Sequence, residues 1–185
     1  SLNVWGSIDM TDINETGSDD FRLQEVDYTL SYGFTPVDGL DLEAGVIYYD
    51  FPGTGFKSTS EVYLSGSLSS LPLSPTLAVY YDFDEVEGYY LNLSIGHTFA
   101  LADNLGLSLG AGLGWSDADY NMAYFGVNDS ALGDLSFSAA LEYAVNENFG
   151  ISVYAAYSEM LDSDVEDSLA DPDVFTAGVN LTFSF

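Results

Sequence analysis

Apolar residues occupy every second position through most of this chain, and they rarely show the three-to-four-residue spacing of a helix. Period-two alternation is the signature of strands with one apolar face. Leu2, Val4, Ile8 and Met10 alternate with Asn3, Ser7 and Asp9, and Val26, Tyr28, Leu30, Tyr32 and Phe34 with Asp27, Thr29, Ser31 and Gly33. Further stripes begin at Leu42, Val62, Leu77, Tyr89, Leu105, Leu135 and Phe149, and the last runs Phe175, Ala177, Val179, Leu181, Phe183, Phe185. The pattern predicts about ten strands in a single domain over residues 1–185, an even number that leaves both termini at one end.

The connections alternate in kind. Those around Pro36–Gly39, Leu71–Pro75, Ala102–Asn104 and Asn146–Asn148 are short, whereas Thr11–Gln24, Pro52–Ser60, Ser116–Asp134 and Glu159–Asp173 are longer and acidic. A tight DEVEG hairpin before Tyr89 is the exception. The two ends of the sheet are therefore expected to face different surroundings.

Alternation alone does not say which face is inside; the polar face does. Between the apolar positions of 105–115 lie Gly106, Ser108, Gly110, Gly112 and Gly114, and the final strand offers Thr176, Gly178, Asn180, Thr182 and Ser184. A water-facing sheet normally carries Lys, Arg and Glu there. Small uncharged residues suit the inside of a narrow barrel, with lipid against the apolar face. Strand lengths agree with the roughly 9 to 11 residues that a tilted membrane strand requires. Aromatic residues also sort to two heights, with Phe34, Phe99, Tyr143, Phe149, Phe183 and Phe185 near the short turns and Tyr48, Phe83, Tyr89, Trp115, Tyr157 and Phe175 near the long loops. Two such girdles match two membrane interfaces. The reading is an all-β, transmembrane, antiparallel up-and-down β-barrel of about ten strands, with eight to twelve as the range; the alternative is a soluble acidic β-sandwich or lectin-like domain.

Composition narrows the functional classes. The 30 Asp+Glu against 2 Lys+Arg give a formal net charge of -28, which repels nucleic acid and other anionic partners. The absence of cysteine removes disulfides, zinc-thiolate sites and thiol nucleophiles. No apolar run reaches the roughly 20 residues of a spanning helix, and for an exported chain Ser1 is expected at or near a processed mature end.

Asp27, Glu43, Glu61, Asp82 and Glu142 fall on the expected lumenal face, while Arg22 and Lys57 are placed in the loops. Carboxylates without cationic partners imply water or cations around them, so a cation-favouring lumen is expected. Inward-pointing Tyr49, Tyr63, Tyr80, Tyr90 and Tyr154 narrow it. Loop acids at Asp117 and Asp119, and at Asp162 and Asp164, are candidates for loose calcium or magnesium binding, although Met122 stands where an EF-hand turn needs glycine. The lone His97 falls on the apolar stripe near the short-turn end and is expected to be structural, so no enzyme activity is expected.

The closing VNLTFSF, with Val179, Leu181, Phe183 and Phe185, resembles the C-terminal assembly signal of bacterial outer-membrane β-barrel proteins. The Tyr-rich stretch SPTLAVYYDFDEVEGYYLNLSIGHTF is similar to an uncharacterised family of small porin-like outer-membrane proteins. These resemblances imply the bacterial outer membrane, both termini in the periplasm, contact with outer-membrane lipid, and handling by the barrel-assembly machinery. The functional expectation is a narrow porin-like channel; its alternative is a non-conducting barrel whose acidic extracellular loops bind a protein partner or divalent cations.

Overall fold

A computed structural model describes residues 1–9, 22–52 and 54–184. It contains β1 (Leu2–Asp9), β2 (Arg22–Val37), β3 (Leu40–Asp50), β4 (Thr59–Ser67), β5 (Thr76–Asp82), β6 (Tyr89–Ala102), β7 (Leu105–Ser116), α1 (Ala118–Phe125), β8 (Ala131–Ala144), β9 (Phe149–Met160), α2 (Ser163–Ser168) and β10 (Asp173–Phe183). The ten strands pair antiparallel with their chain neighbours, in the order β1 to β10. This is the up-and-down all-β arrangement that the alternation predicts.

Register carries the alternation from strand to strand. Leu30, Val46, Val62, Tyr81 and Tyr89 form one cross-strand row, and the next row is Ser31, Gly45, Tyr63, Tyr80 and Tyr90. Rows alternate between the two faces because successive side chains point to opposite sides of a pleated strand. The apolar rows face outward: Leu93 is 52% exposed and Leu181 69%. Among the described residues the buried hydrophobic side chains are only Ala78, Ala131 and Val165. A water-soluble fold would bury that stripe; here the polar face is the enclosed one, as a hydrocarbon surrounding demands. Rings pair across the outer face near the long-loop end, Tyr81 on Tyr89 at 4.4 Å and Tyr28 on Tyr48 at 6.3 Å.

The short turns lie at the end that holds Ser1 and Ser184, whose backbone groups bond to Ser31 and Asn148. Gly39 takes φ +79 in the β2–β3 turn, a conformation that glycine adopts without a Cβ clash. The β4–β5 connection does more than turn. The Leu73 carbonyl accepts from the Gly96 N–H at 2.8 Å, extending the sheet beside β6 past the end of the short β5.

Two differences from the sequence reading stand out. Arg22 is not in a loop but opens β2, its backbone in register with that of Asp9. The connections at 117–130 and 161–172 hold helices α1 and α2, which are too short for hydrophobic periodicity to reveal. Met10, Asn14 and most of the Thr11–Gln24 connection lie outside the described residues, as does Phe185.

Candidate functional site

Adjacent strands β3 to β6 project tyrosines from the inner face, and antiparallel register brings their rings together. Tyr63 stacks on Tyr80 at 5.5 Å, and Tyr80 meets Tyr90 at 6.1 Å. Each of three phenols donates to a carboxylate on another strand: Tyr63 to Glu43 at 2.6 Å, Tyr49 to Glu61 at 3.2 Å, and Tyr90 to Asp134 at 2.9 Å. A phenol tied by its hydroxyl leaves its ring face free for contact. Asp134 directly precedes the outward Leu135 and so faces inward, beside a register shift between Leu113 and Trp115 where β8 sets an extra residue against β7.

Helix α1 covers this wall at the long-loop end. Asp117 caps its N-terminus, accepting from the Tyr120 N–H at 2.9 Å, and Gly126 closes its C-terminus in the left-handed conformation. Asn121, fully buried at 0% exposure, accepts from the Ser116 hydroxyl at 2.6 Å and donates to the Asp129 carbonyl at 2.7 Å. These two bonds tie the helix back to the strand end. Tyr120 extends the ring series, stacking on Tyr90 at 5.6 Å, and meets Tyr124 one turn later at 4.5 Å. At Gly88 a Cβ would lie 2.5 Å from the Tyr120 backbone nitrogen, so only glycine lets the β5–β6 hairpin sit against the helix. Burial, then the nearby Tyr124, Tyr90, Glu61 and Asp134, hold the Tyr120 phenol above the ordinary tyrosine range, so it stays protonated. Next to the helix, the Lys57 ammonium lies 2.7 Å from Glu85, which raises its pKa and joins the β3–β4 loop to the β5–β6 hairpin.

The five expected lumenal acids all share the inner face, in two settings. Glu61 and Asp82 are direct register partners at the long-loop end, 8% and 2% exposed. Asp82 accepts from the Thr59 hydroxyl at 2.6 Å and from the backbone N–H groups of Asp84 and Val86. Asp27 stands level with Tyr49 on β2. Glu43 and Glu142 are exposed nearer the short turns, on separate strands, and Glu142 accepts from Ser108 at 3.1 Å. The structure thus brings Glu61 and Asp82 together and leaves Glu142 apart from them.

The loop acids have local work. Asp117 and Asp162 are the N-caps of α1 and α2, and Asp119 and Asp164 lie in the first turns, where negative charge suits the helix dipole. Among the described residues no three His, Asp or Glu side chains converge as a metal site. His97 pairs with Leu109 on the outer face, its ring edge-on to Phe99 at 4.6 Å. Val179, Leu181 and Phe183 occupy the outer face of β10 opposite Val153, Ile151 and Phe149. The residues that sequence reading missed are Asp134, Tyr120, Tyr124 and Asn121. An N-capping Asp117, tyrosines four apart and a closing Gly126 were the available signals for α1.

Compared with known protein families, residues 14–185 match the family described as MltA-interacting protein MipA. No curated protein matches the chain. The match spans nearly all of the sequence and agrees with the inverted, ten-stranded sheet. This chain therefore belongs to the MltA-interacting protein MipA family, a family of outer-membrane proteins.

Proposed function

We propose that the chain is an outer-membrane docking barrel whose partner is MltA, the protein for which its family is named. The observation that carries this reading is helix α1, tied down by Asn121 and stacked through Tyr120 on Tyr90, which lies against the inner wall at the long-loop end and takes up space that an open channel would use. The orientation we assign puts the short turns and both termini in the periplasm and the acidic loops and helices outside. The apolar belt contacts lipid, and the last strand, ending at Phe185, is handled by the barrel-assembly machinery. No catalytic step is assigned to any residue. Photo-crosslinkers at Ser70 and Asn146, in the short turns, and at Phe56 and Asp164, at the other end, test the docking reading. Crosslinks to MltA from one end support it and locate the surface; no crosslink from either end, with no co-purification, refutes it.

A second reading, a narrow cation-favouring channel, draws on the exposed inner carboxylates of Glu43 and Glu142 toward the short-turn end. Current across planar bilayers, selective for cations and reduced by Glu43→Gln and Glu61→Gln, supports it. Zero current from folded protein retires it in favour of docking alone.

A further inference from the structure

A cavity of about 380 Å³ lies beneath α1, lined mainly by Tyr49, Glu61, Tyr80, Tyr90, Asn92 and Tyr120. Its size falls in the range of small-molecule sites. The lining joins strands β3, β4, β5 and β6 to the helix, which contributes Tyr120. It contains ring faces and one carboxylate but no Lys or Arg.

The chemistry of the lining selects among ligand classes. An anion would meet Glu61 and, directly opposite it in the ladder, Asp82. A divalent metal wants six or more oxygen ligands, and a single carboxylate lines the space. The Tyr49 and Tyr90 hydroxyls donate to Glu61 and Asp134, which leaves their rings to make the contact. An organic ammonium ion fits all of these facts. Aromatic faces attract it through their quadrupoles, and Glu61 supplies the counter-charge. Its positive charge also relieves the repulsion between two buried carboxylates facing each other across a strand pair. Among the described side chains none supplies such a cation: no Lys or Arg lines the cavity, and Lys57 is held by Glu85 outside it.

We propose that this cavity binds a small organic ammonium ion, seated on the Tyr80, Tyr90 and Tyr120 rings and neutralised by Glu61. The proposal goes beyond the docking reading and does not rest on it. The test titrates choline, and separately its neutral carbon isostere dimethylbutanol, into the folded chain in detergent micelles, read by calorimetry and tyrosine fluorescence. Choline is expected to bind saturably, and at least about tenfold more tightly than the isostere. Glu61→Gln and Tyr80→Leu should each weaken choline by about tenfold, and Tyr80→Phe, which keeps the ring face, by less than about threefold. Absence of saturable choline binding, equal affinity for the isostere, or unchanged choline affinity in Glu61→Gln would overturn the proposal. The isostere comparison uses the unaltered protein, so it holds even where a variant fails to fold.

Discussion

The inner face of this sheet has two unlike walls built on one strand-pairing scheme. From β3 to β6 it presents tyrosines and carboxylates under α1; from β7 to β10 small residues predominate, as in the register row Gly110, Ser138, Ala156 and Thr176, with Glu142 and Tyr154 as the larger exceptions. The outer face shows no such division, since apolar residues cover both halves. A membrane imposes the same demand on every strand from outside. The lumen imposes none, so variation there reports what the individual protein uses. The walls meet at the shifted register near Leu113, where Asp134 of the small-residue half receives the phenol of Tyr90.

The largest expected effect comes from confusing outside with inside. Leu93→Arg, on the outer face, is expected to cost about 2–4 kcal/mol of folding free energy in lipid vesicles. Ser138→Arg, on the inner small-residue wall, should change it by less than about 0.5 kcal/mol. Urea titration of folding into vesicles measures both, and equal costs would erase the distinction between faces.

Next in size is the junction between the walls. At Gly114 an added Cβ would collide with the Asp134 carboxylate and lie 2.6 Å from the Tyr90 hydroxyl; at Gly33 the nearest atoms are at 3.8 and 4.0 Å, ordinary contact. Gly114→Ala should therefore destabilise by about 1–3 kcal/mol, whereas Gly33→Ala should stay within about 0.5 kcal/mol. Thermal unfolding followed by gel mobility separates them.

Helix α1 gives an effect of similar or lesser size but confined to one place. Asn121→Ala leaves the Ser116 and Asp129 groups without their partner and should cost about 1–3 kcal/mol. Hydrogen exchange is expected to quicken over residues 118–126 while β7 and β8 stay protected; uniform quickening would mean that the helix is part of the sheet's own stability. The smallest effect is at α2, where Asp162→Ala removes an N-cap worth about 1 kcal/mol, visible as faster exchange at Asp164 and Val165, whose N–H groups donate to it.

Legibility followed the same division. The outer face could be read from the sequence because a bilayer forces strict alternation, and even the even strand count followed from it. Asp27, Glu43, Glu61, Asp82 and Glu142 could be placed on the inner face by parity alone. Parity does not see across strands, so the pairing of Glu61 with Asp82 and the stacking of Tyr63, Tyr80 and Tyr90 required the register. Asp134 was hidden because β8 starts at Ala131, four residues before the clean apolar stripe at Leu135, so it looks like the end of a loop. The helices were hidden for another reason: α1 buries Asn121 rather than an apolar stripe, so its eight residues carry no periodic signal. Capping residues were the trace it left.

Two tryptophans test the central claim, that the apolar face points out and the polar face in. Trp115 stands on the outer face opposite Leu91, and Trp5 on the inner face opposite Asp27. Trp5→Phe and Trp115→Phe each leave a single reporter for folding into vesicles of brominated lipid. Strong bromine quenching of Trp115 and little quenching of Trp5 is the predicted result. Equal quenching, or stronger quenching of Trp5, would contradict the inside-out reading.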